Sequence, residues 1–348
     1  NSSIPIGALE YSFTNTGTKM LEAIFSYSSK NFLESDEKAV NKITATDKGF
    51  VLQQDGTTDK PFLQSAMAVF TDHADTVVDH CWFRGGWWDP LTMAWNNIRD
   101  GIITSTAPVD KSAPGATLYV PFHLHPGTST TIRVYFAWYT PESNIHIGEP
   151  MPDEKKDCDP ITGCCASPKQ LGIVPQHESD AANFKPWYSS QFDSIGQVIE
   201  FWKNNYNELK RKTELFTQAF YASTLPAEVM EAVAANLTII KSPTVLRQYD
   251  GRLWNWEGCG DDGGCCHGSC THVWNYAQAL PFLFPKLERS MRTADYVYNL
   301  RPDGGIDPPQ KVEAVDRPGD RLRAKDPQNA VHNAILFVED KLPQNGDR

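Results

Sequence analysis

From Ile6 onward, apolar and polar residues alternate in short runs. IGALEYSF, LEAIFSYSS, LQSAMAVF, TLYVPFHL and TTIRVYFAWY are rich in Val, Ile, Thr, Tyr and Phe and repeat at about period two. Turn signals such as NTGT, QDGTTDKP and HPGTST separate them. The pattern predicts a β-sandwich over residues 1–145. Because the opening residues already alternate like a strand in the middle of a sheet, the chain is expected to begin inside this domain, with part of it missing. One segment breaks the rhythm. HCWFRGGWWDPLTMAWNNIRDG, residues 80–101, is too long and irregular for a hairpin, and MAWNNI within it reads as a short helix.

After a linker at residues 146–187, rich in Pro, Asp, Lys and Cys, the period changes. From Val198 through Phe201, Tyr206, Leu209, Phe216 and Phe220 the apolar residues fall at helical spacing. A second helix is predicted from Pro226 through VMEAVAANLTII. A third spans THVWNYAQALPFLFPKLERSMRTADYV with breaks at Pro281 and Pro285, and a fourth is QNAVHNAILFVEDKL. Residues 188–348 therefore read as helical, with apolar faces at Phe201, Tyr206 and Phe216 left to be covered.

Composition narrows the partners more than the fold. A formal net charge of −11 with no basic run argues against nucleic acid or an anionic membrane surface as the main partner. No stretch approaches the roughly 20 apolar residues of a spanning helix. Aromatic residues make up 11% of the chain, including 10 Trp, and exposed rings suit sugar binding. The 8 Cys are too sparse for a disulfide scaffold, and they leave the compartment open: cytoplasmic, periplasmic or secreted.

The chemistry concentrates in DGRLWNWEGCGDDGGCCHGSCTHVWNY, residues 250–276. Cys266, His267 and Cys270 have donor types suited to zinc, but a structural zinc wants two separated ligand pairs, so packed or disulfide-linked cysteines are the simpler reading. The alternation of Arg252, Trp254 and Trp256 puts Glu257 at the end of a short extended segment. Ser269–Cys270–Thr271 then caps the next helix. A carboxylate between an aromatic strand and a helix N-terminus suits a nucleophile, although such a glutamate taken alone is more often a structural hydrogen-bond acceptor.

Taken with KPWYSSQFDS, ASTLP and CTHVWNYAQALPFLFPKLERSMR, this stretch resembles glycoside hydrolase family 116, which includes microbial β-glucosidases and the non-lysosomal glucosylceramidases. WFRGGWWDPLTMAWNNIRDG is similar to the part of that family's sandwich domain that reaches toward the catalytic domain. The resemblance implies an N-terminal β-sandwich followed by an (α/α)6 barrel, of which residues 188–348 would be the first helices. It implies a retaining exo-acting β-glycosidase, needing no cofactor, that acts on terminal β-glucosides of a small glycoside or glycolipid head group. Glu257 corresponds to the nucleophile. His272 stands where the family has a sugar-binding aspartate, which leaves β-xylosidase or β-N-acetylglucosaminidase activity open. Trp256, Thr271 and Asp262 complete the expected sugar site.

The family's acid/base is an aspartate much farther along, and none of Asp303, Asp307, Asp316 or Asp320 matches it. The acid/base is therefore expected to lie outside this chain, in a longer polypeptide. If it does not exist, the chain is a non-catalytic carbohydrate-binding fragment. Trp87, Trp88 and Asp89 are open to two readings, the rim of a substrate cleft or an aromatic clamp.

Overall fold

A computed structural model describes residues 4–33, 41–143, 145–147, 185–237, 245–251, 253–255, 280–298 and 312–314. In chain order the strands are β1 (Ile6–Thr14), β2 (Leu21–Lys30), β3 (Asn41–Thr46), β4 (Gly49–Gln54), β5 (Ser65–Thr71) and β6 (Val77–Asp79). Helix α1 (Pro90–Arg99) follows, then β7 (Gly115–Leu124), β8 (Ser129–Tyr139) and β9 (Ile145–Ile147). The later elements are α2 (Ile195–Tyr221), α3 (Ala227–Leu237), β10 (Val245–Arg247), β11 (Leu253–Asn255), α4 (Leu280–Leu283), α5 (Pro285–Tyr298) and β12 (Val312–Ala314). The fourth predicted helix lies outside the described residues.

Two compact units emerge. One comprises Pro5–Thr140 with Ser194–Glu200; the other runs over Pro141–Asp193 and Phe201–Arg317. In the first, two antiparallel sheets are ordered β1-β8-β5-β4-β3 and β2-β7-β6. Alternate residues of each strand meet in one core. Phe25, Leu118, Val120, Phe122 and Leu124 come from the smaller sheet; Ile43, Phe50, Leu52, Val69, Ile132 and Val134 come from the larger. Burying a side chain such as Phe50 or Leu52, both 0% exposed, contributes about 2–3 kcal/mol. Aromatic pairs stitch the sheets together, with ring centroids 5.1 Å apart for Tyr11–Phe25 and for Tyr27–Phe136.

The five-stranded sheet is buried on its other face too. Ile6, Val51, Ala66, Ala68, Phe70, Tyr135, Ala137 and Tyr139 all point away from the core, and all are buried. Toward one end of that face Arg133 donates to Glu10 Oε1 at 2.7 Å and Tyr135 OH donates to Asp72 Oδ2 at 3.0 Å, and at its β3–β4 side Lys42, Thr44 and Gln53 add polar residues.

Sequence reading placed β1 in the middle of its sheet. It is an edge strand, paired with β8 alone among the described residues, with Leu9 left 49% exposed. Alternation reports which face is buried and is blind to how many neighbours a strand has. The hairpin β3–β4 is an addition to the predicted strands. Its turn puts Lys48 at φ 56°, a conformation with no Gly or Asn to announce it.

Helix α2 starts where Ser194 Oγ accepts from Gln197 N–H at 3.3 Å, a side-chain cap. It buries Val198 and Ile199 early and Leu209 midway, then turns Leu215, Phe216 and Tyr221 at least half out to solvent. Phe201 and Tyr206 are partly covered, and Phe201 packs its ring against Phe192 at 5.5 Å. Helix α3 opens one residue after Pro226, whose carbonyl accepts from Val229 and Met230. No helix among the described residues is long and apolar enough to cross a membrane.

Candidate functional site

Strands β10 and β11 form a small antiparallel hairpin with Val245 opposite Asn255 and Arg247 opposite Leu253. Its turn needs Gly251, at φ +94°, where a side chain would be strained. Gly251 N–H donates to the Gln248 carbonyl at 2.8 Å. The segment KPWYSS, some sixty positions earlier, lies along the hairpin. Pro186 bridges Gln248, Tyr249 N–H donates to the Lys185 carbonyl at 2.8 Å, and the Arg247 guanidinium sits 4.0 Å from the centre of the Trp187 ring. Lys185 in turn reaches Glu142 Oε1 at 2.5 Å.

Arg247 is held by its stack. Burial pulls its pKa below the ordinary guanidinium value, and Arg247 Nε is buried without an acceptor among the described residues. The group stays cationic even so, and the indole face lies against it as a cation–π partner. The two stretches, KPWYSS and DGRLWN, were read from sequence as parts of one resemblance; the structure brings them into contact.

Glu257 follows Asn255 by two residues and lies outside the described residues. So do Trp256, Asp262, Thr271 and His272, along with Cys266, His267 and Cys270. Leu253 and Glu257 are separated by at most about 13–14 Å of extended chain. Arg247, opposite Leu253, belongs to the turn end of the hairpin. Among the described residues, no group of three or more His, Cys, Asp and Glu is arranged to hold a metal ion.

The sandwich unit carries a second feature with chemical character. Residues 80–106 leave β6 and return before β7 as one long loop. Its neck is closed by Asp79, a buried carboxylate at 6% exposure. Asp79 Oδ2 accepts from Thr104 Oγ1 at 2.8 Å, and Asp79 Oδ1 accepts from Cys81 N–H at 3.2 Å. His80 N–H donates to the Thr106 carbonyl at 3.0 Å. Trp82 Nε1 donates to Thr117 Oγ1 at 2.8 Å, so the loop base lies on the outer face of the smaller sheet. Burial raises the pKa of the Cys81 thiol, which marks it as a packed group rather than a nucleophile.

Beyond the neck, Phe83 and Trp87 meet edge to face with centroids 5.0 Å apart. Trp87 and Trp88 are 73% and 56% exposed. Asp89 then caps α1: its Oδ2 accepts from both Thr92 N–H and Thr92 Oγ1, each at 2.7 Å. These bonds, those from the Thr92 hydroxyl foremost, hold the Asp89 carboxyl below its ordinary pKa. Sequence reading identified the tryptophans and missed the neck. Asp79 and Thr104 are 25 positions apart, and no local pattern pairs them.

A sequence profile described as beta-glucosidase 2, glycosyl-hydrolase family 116 N-term, matches residues 1–209. The match covers the sandwich, its loop and the first half of α2, more than half of the chain. The chain belongs to glycosyl-hydrolase family 116. Glycoside hydrolases of this family need no cofactor. A search of curated proteins returned no match.

Proposed function

We propose that the protein is a retaining exo-β-glycosidase that removes terminal β-glucose from a small glycoside or glycolipid head group, with Glu257 as nucleophile. Family membership over residues 1–209 carries this reading. The hairpin at Leu253–Asn255 supports it locally, because it delivers the chain to Glu257 from a mount fixed by Trp187 and Arg247. Residues 188–348 are the first helices of an (α/α)6 barrel, residues 1–145 the sandwich and 146–187 the linker.

Retention needs two carboxyl groups about 5–5.5 Å apart. Glu257 attacks the anomeric carbon as a carboxylate, the glycosidic C–O bond breaks, and a carboxylic acid protonates the departing oxygen. That second group, now a carboxylate, takes a proton from water. The water oxygen displaces Glu257 and releases the sugar with its β configuration restored. His272, Trp256, Thr271 and Asp262 shape the sugar site around C1.

A 2-deoxy-2-fluoro-β-glucoside with a good leaving group tests the assignment. A stable adduct on the peptide containing Glu257, lost in Glu257→Gln, is the expected result. Labelling of another peptide, or full turnover by Glu257→Gln, overturns it. His272 favours a second possibility for the sugar, since an imidazole nitrogen offers one hydrogen bond where a carboxylate offers two acceptors. Comparing kcat/KM for aryl β-glucoside, β-xyloside and β-N-acetylglucosaminide decides between them.

A further inference from the structure

We propose that Trp87 and Trp88 form a sugar-stacking platform on the sandwich unit, which takes the flat face of a β-linked pyranoside; this rests on the glycosidase reading above. Three observations carry it. The tryptophans are the most exposed pair of adjacent large apolar residues described in the chain, at 73% and 56%. Their presentation depends on a turn that only glycine permits. Gly86 sits at φ +71°, and a Cβ at Gly85 would fall 1.9 Å from the Phe83 ring and 2.6 Å from Trp87 Nε1, so FRGGWW closes only because two glycines are there. The neck at Asp79–Thr104 and the cap at Asp89–Thr92 fix the segment on both sides of the rings.

The size of the patch selects the ligand. Two indoles at these exposures offer on the order of 250–300 Å², well short of the roughly 800 Å² per partner of a standard protein interface. They match one or two sugar rings. In a β-linked glucopyranoside every ring substituent is equatorial, so each face presents axial C–H bonds to an indole while the hydroxyls spread sideways. The polar side chains of Lys30, Arg84 and Asp89 lie around this loop: Lys30 lowers the pKa of Asp89 through its charge, and Arg84 acts on Cys81 in the same way. A neutral polyhydroxyl ligand gains donors and acceptors there without meeting a single dominant charge. The sandwich thereby supplies sugar recognition in addition to support.

The test uses the whole protein with cellotetraose as probe. Hydroxyl-radical footprinting is expected to oxidise the peptide carrying Trp87 and Trp88 readily, and cellotetraose to protect it. In calorimetric titration, Trp87→Ala and Trp88→Ala are each expected to weaken cellotetraose binding about tenfold, with circular dichroism showing that each variant stays folded. Gly85→Ala disturbs the turn while keeping both indoles and weakens binding as well. A peptide already protected without sugar means that another protein surface covers the rings, and this overturns the proposal. Unchanged affinity in the Trp87→Ala/Trp88→Ala protein overturns it too. Neither result bears on Glu257, whose role is decided by the position of the fluoroglycoside adduct.

Discussion

Asp79 and Thr104 meet at 2.8 Å across the neck of a long loop, and the same Thr104 hydroxyl lies 3.0 Å from Tyr119 OH. Both Asp79 and Tyr119 are buried. One hydroxyl thus joins the end of β6, the returning loop and the outer face of β7. Replacing Thr104 with Val keeps the shape and removes the hydroxyl that bonds Asp79 Oδ2 and Tyr119 OH, leaving the carboxylate with the Cys81 N–H and the phenol with Thr117. Such a loss costs about 1–3 kcal/mol. Urea unfolding is expected to show it, and proteolysis of the native protein is expected to cut between residues 83 and 103 sooner than in the wild type.

Asp89 predicts an acid-sensitive loop tip. Its carboxyl is held below the ordinary value by Thr92, so its contribution is complete above about pH 4 and is lost as pH falls through the lowered folded value. Asp89→Ala removes the cap and is expected to cost about 1 kcal/mol. Asp89→Asn retains an acceptor and removes the pH dependence. Titration of the Thr92 amide proton by NMR follows both effects.

Tyr27 predicts the opposite edge of the pH range. Its phenol is pushed up to about 12, first by burial and then by the neighbouring Tyr11. The folded state therefore holds that proton longer than the unfolded chain. Its stabilising effect is complete below about pH 10 and is lost between about 10 and 12, by up to about 3 kcal/mol. Tyr27→Phe keeps the ring on Phe136 and is expected to flatten the fall in thermal midpoint over that interval.

The Arg247–Trp187 stack predicts a change in rate. Lys keeps the charge and cannot lie flat on an indole. Arg247→Lys and Trp187→Leu are expected to slow labelling by the fluoroglycoside about tenfold, equivalent to 1.4 kcal/mol. A double-mutant protein slowed no further than either single variant identifies one shared contact. Fully additive losses refute it.

The sequence showed most of the sandwich because period-two alternation is imposed by a buried core: Leu118, Val120, Phe122 and Leu124 could hardly be read otherwise. It concealed β3–β4, since Asp47–Lys48 turns the chain with a lysine at positive φ. The only clue there was Gly49, whose Cβ would lie 2.1 Å from the Val69 carbonyl oxygen. It overstated the position of β1, because neighbours across a sheet leave no local trace. On the site side, KPWYSS and DGRLWN could be picked out by resemblance, whereas the Trp187–Arg247 stack joining them depends on tertiary register. The neck at Asp79 was illegible for the same reason.

A cut made where the composition changes, at residue 145 or 187, would look harmless on paper. It would detach Ser194–Glu200, which belong to the same compact unit as the two sheets and include Val198 and Ile199, exposed only 0% and 7%. The opening turns of the long helix are thus folding partners of the sandwich. The two halves of the protein share a single piece of secondary structure, and an excised sandwich should be carried through residue 200 if it is to remain monomeric and soluble.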